Sequence, residues 1–71
     1  MVVVFMRSLG SNLRLWRRAK GYTQDEMATI FGVHRTTYTK YETGVTDPPL
    51  DTLCRMADFF GCTVDSLLGR K

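Results

Sequence analysis

Apolar residues recur at helical spacing along most of the chain. In the first such segment, over about residues 9–20, Leu9, Leu13 and Trp16 lie three or four positions apart, and basic residues point largely elsewhere. Gly21 ends the segment, as a left-handed residue commonly does at a helix C-terminus. The pattern predicts an amphipathic helix with one side facing a core.

A second, short helix is predicted to begin after Thr23, because Glu26 follows three residues later and completes a capping box. It ends at Gly32, where a positive φ turns the chain sharply, and the helical pattern resumes at Arg35. The residues that this helix presents to the core are Met27, Ala28 and Phe31.

Three more helices complete the predicted fold. The third covers residues 35–42, with Tyr38 and Tyr41 on one side and polar side chains on the other. A loop at residues 45–49 contains two prolines, which can start a helix but cannot continue one. The inward residues of the fourth helix are Leu50, Leu53, Ala57 and Phe60. Thr63 caps the fifth, which carries Val64, Leu67 and Leu68.

The sequence therefore predicts an all-α domain at residues 9–69, with an N-terminal extension at residues 1–8 and a short tail at residues 70–71. Residues 2–6 are apolar and β-branched or large. They allow three interpretations: a strand that pairs across a dimer, a segment packed on the helices, or a disordered extension before a start at Met6. Disorder or loose packing is favoured, and the run is too short to cross a membrane, which takes about 20 residues.

The composition favours a small binding domain over an enzyme. A chain of 71 residues buries only roughly 60% of its unfolded surface, which argues against a large catalytic cleft. With one histidine, no metal-ligand cluster and no nucleophile beside a base, we expect no enzymatic activity, cofactor or metal. Cys54 and Cys62 form no CxxC pair and are expected to be reduced, buried thiols in a cytoplasm.

Positive charge is concentrated in the first part of the chain. Residues 1–40 contain seven Lys and Arg against two acidic residues, whereas residues 41–71 contain three against five. Lys and Arg that neutralise phosphates release counterions, so a basic half is consistent with a polyanionic partner.

Residues 23–44 closely resemble the helix-turn-helix of the phage-repressor-like family, the Cro/CI or XRE type. The hallmarks are the Thr23-Gln24 start, Ala28 at the helix crossing, Gly32 in the turn, and the ending Tyr41-Glu42-Thr43-Gly44. Further matching positions are Leu9, Leu13, Arg17, Gly21, Pro48, Leu53, Ala57, Gly61 and Leu67. The resemblance covers about residues 9–69 and implies a compact five-helix, lambda-repressor-like domain that binds double-stranded DNA.

The resemblance also assigns base-contacting positions to the third helix. A helix about 10–12 Å across fits a major groove about 12 Å wide. The matching residues are Arg35, Thr36 and Lys40, and Thr39 on the same face can reach a base or the backbone. Arg35 is the strongest candidate, because arginine can donate two hydrogen bonds to guanine O6 and N7.

Phosphate contacts are expected around this helix. The candidate residues are Thr23, Gln24, Arg14, His34, Thr43, Gly44 and Thr46. Arg14, Arg18 and Lys20 either follow the DNA backbone or only shield the surface. His34 either donates to a phosphate when protonated or is a tolerated surface residue and a weak N-cap. The loop lacks the basic residues common in the family, which predicts weaker nonspecific binding.

Other positions are expected to be architectural. The resemblance implies an inward ion pair between Arg17 and Glu42, which sets how the third helix sits on the domain. The aromatic residues expected in the core, rather than as platforms for base stacking, are Trp16, Tyr22, Tyr38 and Tyr41.

The expected function is that of a sequence-specific transcriptional regulator, a repressor in its simplest form, acting on nucleoid DNA in the cytoplasm. The resemblance implies a homodimer on a pseudo-palindromic operator, with the reading helices about 34 Å apart. Its interface is expected near Phe59, Val64 and Leu68, and no membrane partner is expected. Two alternatives remain: a protein-interaction module of the same fold, and a DNA-binding antitoxin or controller protein with a protein partner.

Overall fold

The computed structural model describes the backbone of residues 2–69 and the side chains of residues 9–69. Within this part of the chain the secondary structure is entirely helical. The five helices are α1 (Val2–Lys20), α2 (Gln24–Phe31), α3 (Arg35–Thr43), α4 (Leu50–Phe60) and α5 (Val64–Leu68). The predicted all-α class and the number of helices are confirmed.

The first helix differs most from its predicted bounds. α1 begins at Val2, seven residues before the predicted start at Leu9. The backbone of residues 2–6 is therefore helical, which contradicts the strand and the disordered extension among the three interpretations. Residues 2–8 contain no glycine or proline, and extending an existing helix adds one hydrogen bond for each residue ordered, so the helix continues backwards from residue 9. The packing of their side chains lies outside the described residues.

The helices enclose one apolar core. Its buried members are Leu9, Leu13, Met27, Ala28, Phe31, Tyr38, Tyr41, Leu53, Met56, Ala57, Phe60 and Leu67. Trp16 and Tyr22 pack against this core, and Trp16 stacks on Phe60 with ring centroids 5.8 Å apart. The prediction that the aromatic residues belong to the core is confirmed for Tyr38 and Tyr41, whereas Trp16 and Tyr22 are half-buried at its edge.

Two expectations about α4 are wrong. Leu50 is 73% exposed, because it is the first residue of α4 and the inward stripe begins one turn later at Leu53. That stripe continues through Met56, which the sequence analysis did not place in the core. Cys54, expected to be buried, is exposed because it lies next to the inward position on the helix; Cys62 is half-buried, and burial raises the pKa of its thiol.

α2 and α3 are joined by the predicted tight turn. At the start of α2, the amide of Glu26 donates to Thr23 Oγ1 at 3.1 Å, and the amide of Thr23 donates to Glu26 Oε1 at 2.8 Å. Gly32 has a φ of 69°, which lets the chain reverse directly after α2. His34 is the N-cap of α3 and its side chain makes no capping hydrogen bond. The second helix of the pair thus begins with a weaker cap than the first.

α1 crosses the C-terminal end of α3 at very short distance, at Gly10. A Cβ atom on Gly10 would lie 2.4 Å from the backbone oxygen of Glu42 and 3.0 Å from that of Tyr41. The contact is with backbone, which cannot move aside as a flexible side chain would. Gly10 is therefore required by the crossing, a role that the sequence analysis did not foresee.

Replacing Gly10 by alanine is expected to destabilise the fold, although alanine is the better helix former. Forcing a methyl group into this crossing costs about 1–3 kcal/mol. The gain in helix propensity is about 1 kcal/mol, so we expect a net loss of stability. Urea unfolding followed by circular dichroism measures the difference. The control is Ser11→Ala, an exposed change on the same helix, which should leave stability equal or slightly higher. A Gly10→Ala protein as stable as Ser11→Ala would contradict the steric argument.

Supplying the missing cap of α3 is expected to stabilise the domain. In His34→Ser the serine hydroxyl can accept from the first free amides of α3, a contribution of about 0.5–2 kcal/mol. Thermal unfolding should show a higher midpoint. The comparison is Thr63→Ala, which removes the existing cap of α5, where Thr63 Oγ1 accepts from the amide of Ser66 at 3.0 Å, and should lower the midpoint. A lower midpoint for His34→Ser would show that the histidine has a structural role of its own.

Candidate nucleic-acid interface

The outer face of α3 and the first residue of α2 form one shared surface. Arg35, Thr36 and Lys40 are exposed, Thr39 is half-buried, and all four line an open concavity together with Gln24. The four residues predicted to contact bases are thus neighbours in space. We call the surface formed by Arg35, Thr36, Thr39 and Lys40 the α3 face; Gln24 lies at its rim.

Arg35 is held only loosely by its neighbours. Its side chain is 64% exposed, and its Nε lies 3.5 Å from a carboxylate oxygen of Asp25, which is itself 72% exposed. An exposed pair of this kind contributes between 0 and about 1 kcal/mol. Arg35 can therefore leave Asp25 for another acceptor at little cost.

A buried carboxylate lies beneath the α3 face. The side chain of Glu42 has no exposed surface, and Arg17 Nε donates to its Oε2 at 2.7 Å while Arg17 Nη2 donates to Oε1 at 3.3 Å. The hydroxyl of Tyr38 donates to the same Oε2 at 2.6 Å. Arg17 also binds the backbone oxygen of Tyr22 at 2.9 Å. The structure thus contains the ion pair between α1 and α3, and further hydrogen bonds hold both of its members in place.

The protonation states within this cluster follow from these bonds. Burial by itself raises the pKa of Glu42, but hydrogen bonds from Arg17, Tyr38 and Gln24 outweigh it and lower the pKa below its usual value. The hydrogen bond to Glu42 raises the pKa of Arg17. Burial, and then the hydrogen bond to Glu42, raise the pKa of Tyr38. At neutral pH the cluster holds a carboxylate, a guanidinium and a neutral phenol.

Gln24 connects the carboxylate to the α3 face. Its Nε2 donates to Glu42 Oε1 at 3.0 Å, and its Oε1 accepts from Thr39 Oγ1 at 3.0 Å. We call the three residues Glu42, Gln24 and Thr39 the relay. Sequence reasoning missed these bonds, because they join residues of two different helices, α2 and α3. The bond from Tyr38 to Glu42 had a local signal, since residues four apart are neighbours on a helix.

The other residues predicted to contact phosphates do not have equally free donors. Arg14 is 43% exposed, with its Nε 3.5 Å from Glu42 Oε1. The amides of Gly44, Val45 and Thr46 all point to the carbonyl oxygen of Lys40.

These hydrogen bonds to the Lys40 oxygen reduce the number of donors that the C-terminal end of α3 and the following segment can offer a phosphate. Gly44 has no side chain, and its amide already closes the end of the helix, so the expected phosphate contact has no donor there. Thr43 Oγ1 also donates to the Lys40 oxygen, at 3.3 Å. Thr23, His34 and Thr46 are exposed, and the hydroxyl of Thr46 is not used in this closure.

Comparison with known proteins agrees with the geometry of this pair of helices. A family model described as helix-turn-helix matches residues 13–67, and the chain belongs to that family, of the Cro/CI or XRE type. No solved structure gives a significant match.

Curated relatives carry the same motif. The chain is 41% identical over 59 residues to the SPbeta prophage-derived uncharacterized HTH-type transcriptional regulator YonR of Bacillus subtilis, covering 83% of this chain and 55% of that protein. It is 38% identical over 55 residues to the HTH-type transcriptional regulator AnsR of Bacillus subtilis, covering 78% and 47%. It is 39% identical over 54 residues to the cryptic phage CTXphi transcriptional repressor RstR of Vibrio cholerae, covering 76% and 48%. The chain spans about half the length of these relatives.

The part of the chain that the structure describes contains neither a metal-binding cluster nor a membrane-spanning helix. There, no three His, Cys, Asp or Glu side chains come together as a metal site would require. Among the same residues, no helix combines the length and the apolar character needed to cross a membrane.

The lowered pKa of Glu42 makes part of the stability depend on pH. A group whose pKa is lower in the folded than in the unfolded state stabilises the fold above its unfolded value, roughly 4.3, and this contribution is lost as pH falls through the folded value. Glu42→Gln strands Arg17, at a cost of about 3–5 kcal/mol near neutral pH. The difference in unfolding free energy between wild type and Glu42→Gln should therefore shrink as the pH is lowered below the pKa of Glu42 in the unfolded state.

Urea unfolding of both proteins across a pH series measures this difference. The matched control is Glu26→Gln, an exposed glutamate in a capping box that glutamine can also complete, so it should cost little. If the gap between wild type and Glu42→Gln stays constant down to pH 3, Glu42 is not the titrating group.

Proposed function

We propose that this domain binds double-stranded DNA in a sequence-specific manner, as the reading module of a transcriptional regulator that acts as a repressor. In this proposal α3 enters the major groove, where Arg35, Thr36 and Lys40 meet base edges and Thr39 on the same face meets a base or the backbone. The observation that carries it is the α3 face: four polar side chains on one exposed surface, mounted on a helix that a buried ion pair ties to α1. Relatives whose names include transcriptional regulators and a transcriptional repressor support it.

Phosphate contacts in this proposal come from the rim of the α3 face. Gln24 opens α2, where unpaired amides and the helix dipole favour an anion, and its amide has a second N–H beyond the one given to Glu42. Thr23, Arg14, His34, Thr43 and Thr46 are the further candidates. Binding on the nucleoid would place the protein in the cytoplasm.

Two copies on a pseudo-palindromic site form the second part of the proposal, because a single module reads few bases. The apolar residues expected at the interface are only partly available: Phe59 is 36% exposed and packs on Tyr22 and Phe31, and Val64 and Leu68 are half-buried. Leu15, at 65%, is more exposed and lies on α1. Spacing of half-sites in selected DNA, about one helical turn, would test the dimer.

The direct test is selection of bound sequences from random duplexes, followed by affinity measurements on the selected site. Arg35→Gln should weaken binding by about 1–3 kcal/mol, roughly 5- to 150-fold, and change the preferred base at one position from guanine to adenine. The control, Arg55→Gln on α4, removes the same charge away from the α3 face, together with the guanidinium that lies 5.6 Å from the centroid of the Phe31 ring, so thermal unfolding checks that the variant is folded. It should alter affinity little. Equal losses for the two variants would mean that Arg35 contributes charge alone.

The dependence of affinity on salt separates this proposal from a protein-interaction module. Each phosphate neutralised lowers the slope of log affinity against log salt by about 0.9. A slope near zero, with no sequence enriched, would favour a protein partner instead.

A further inference from the structure

We propose that the relay makes Thr39 a hydrogen-bond acceptor toward DNA, so that Thr39 reads a base edge, disfavours guanine and does not bind a phosphate. Gln24 is the positioning residue that imposes this. The inference rests on the proposed function and concerns the one residue of the α3 face whose target, base or backbone, the sequence leaves open.

The direction of the relay is set at its buried end. Glu42 is surrounded by donors: Arg17, Tyr38 and Gln24 donate to it at 2.6–3.0 Å, and Arg14 at 3.5 Å. An ionised carboxylate only accepts, so the side of the Gln24 amide that faces it must be the NH₂ group. The Gln24 side chain therefore cannot be turned over, as a surface glutamine could be.

The fixed amide dictates the state of Thr39. Because the NH₂ of Gln24 faces Glu42, its oxygen faces Thr39, and the threonine hydroxyl must donate its only hydrogen to that oxygen at 3.0 Å. Thr39 is half-buried and lines the α3 face, so its lone pairs and its methyl group remain for a ligand. The buried ion pair thus determines whether Thr39, which is two hydrogen bonds away from Glu42, donates or accepts toward a ligand.

The chemistry of DNA then selects the contact. Phosphate oxygens only accept hydrogen bonds, so a threonine without a free hydrogen cannot bind them. In the major groove, guanine presents two acceptors, N7 and O6, whereas adenine N6 and cytosine N4 donate and thymine offers a methyl group. Thr39 in the relay suits an amino group or a thymine methyl and conflicts with guanine.

The decisive variant is Thr39→Val, which keeps the shape and removes the acceptor. In selection from random duplexes, wild type should deplete guanine at one position of each half-site. Thr39→Val should change the base frequencies at that position alone, with adenine or cytosine falling relative to thymine by roughly 3- to 10-fold, the contribution of one neutral hydrogen bond. Thr39→Ser, which keeps the hydroxyl, should retain the wild-type preference. Thr37→Val, the same change on α3 outside the α3 face, should leave every position unaltered.

A second variant tests the relay itself. Gln24→Met releases the Thr39 hydroxyl, so guanine should rise at the same position, and adding Thr39→Val should remove that rise. A uniform loss of affinity in Gln24→Met, with the guanine frequency unchanged at this position, would mean that Gln24 acts through a phosphate contact alone and would overturn its role in the relay. Thermal unfolding confirms that each variant is folded.

The outcomes are separable. Guanine preferred by wild type at the altered position, or a uniform loss of affinity in Thr39→Val with an unchanged base profile, overturns the inference and leaves the proposed function standing. If wild type enriches no sequence, both fall.

Discussion

The arrangement of the first three helices depends on the carboxylate of Glu42. A charge without exposed surface is tolerated only where it is paired and its lone pairs are satisfied. Its partners come from different elements: Arg17 from α1, Gln24 from α2 and Tyr38 from α3 itself. Moving any one helix leaves a buried donor or acceptor without its partner. The absence of a side chain at Gly10 lets α1 approach closely enough for this to be possible.

The side chains around this carboxylate are held rigidly, whereas the exposed ones on the α3 face are free to move. Below the α3 face every polar group of the cluster has a fixed partner, which holds α3 in position before any ligand arrives. Above it, Arg35 and Asp25 form an exposed pair that exchanges easily. In the proposed function both properties favour binding, because a preorganised helix reduces the ordering cost, while loosely held side chains can adjust to the bases they would meet.

Local signals made most of the fold predictable. Apolar spacing and caps identified all five helices, because both are properties of adjacent residues. Contacts between elements were not accessible in this way. Gly10 has no local signature, since its role arises from where α1 crosses α3, and the bond from Gln24 to Glu42 needs the tertiary arrangement. The exposed position of Leu50 shows a related limit: apolar character predicts burial only when the phase of the helix is known.

In the proposed mode of binding, the α3 face carries little positive charge for a surface that meets DNA. Arg35 and Lys40 are its cations, Asp25 lies beside Arg35 and offsets its charge, and the segment after α3 offers the hydroxyl of Thr46. Few phosphate contacts mean a small nonspecific contribution, and selectivity is the ratio of specific to nonspecific binding. Such a surface gains selectivity and loses affinity. A second copy on an adjacent half-site recovers affinity without added charge, because the second contact forms at high effective concentration. In the proposed mode of binding, dimerisation would therefore supply the affinity that the weakly charged α3 face lacks.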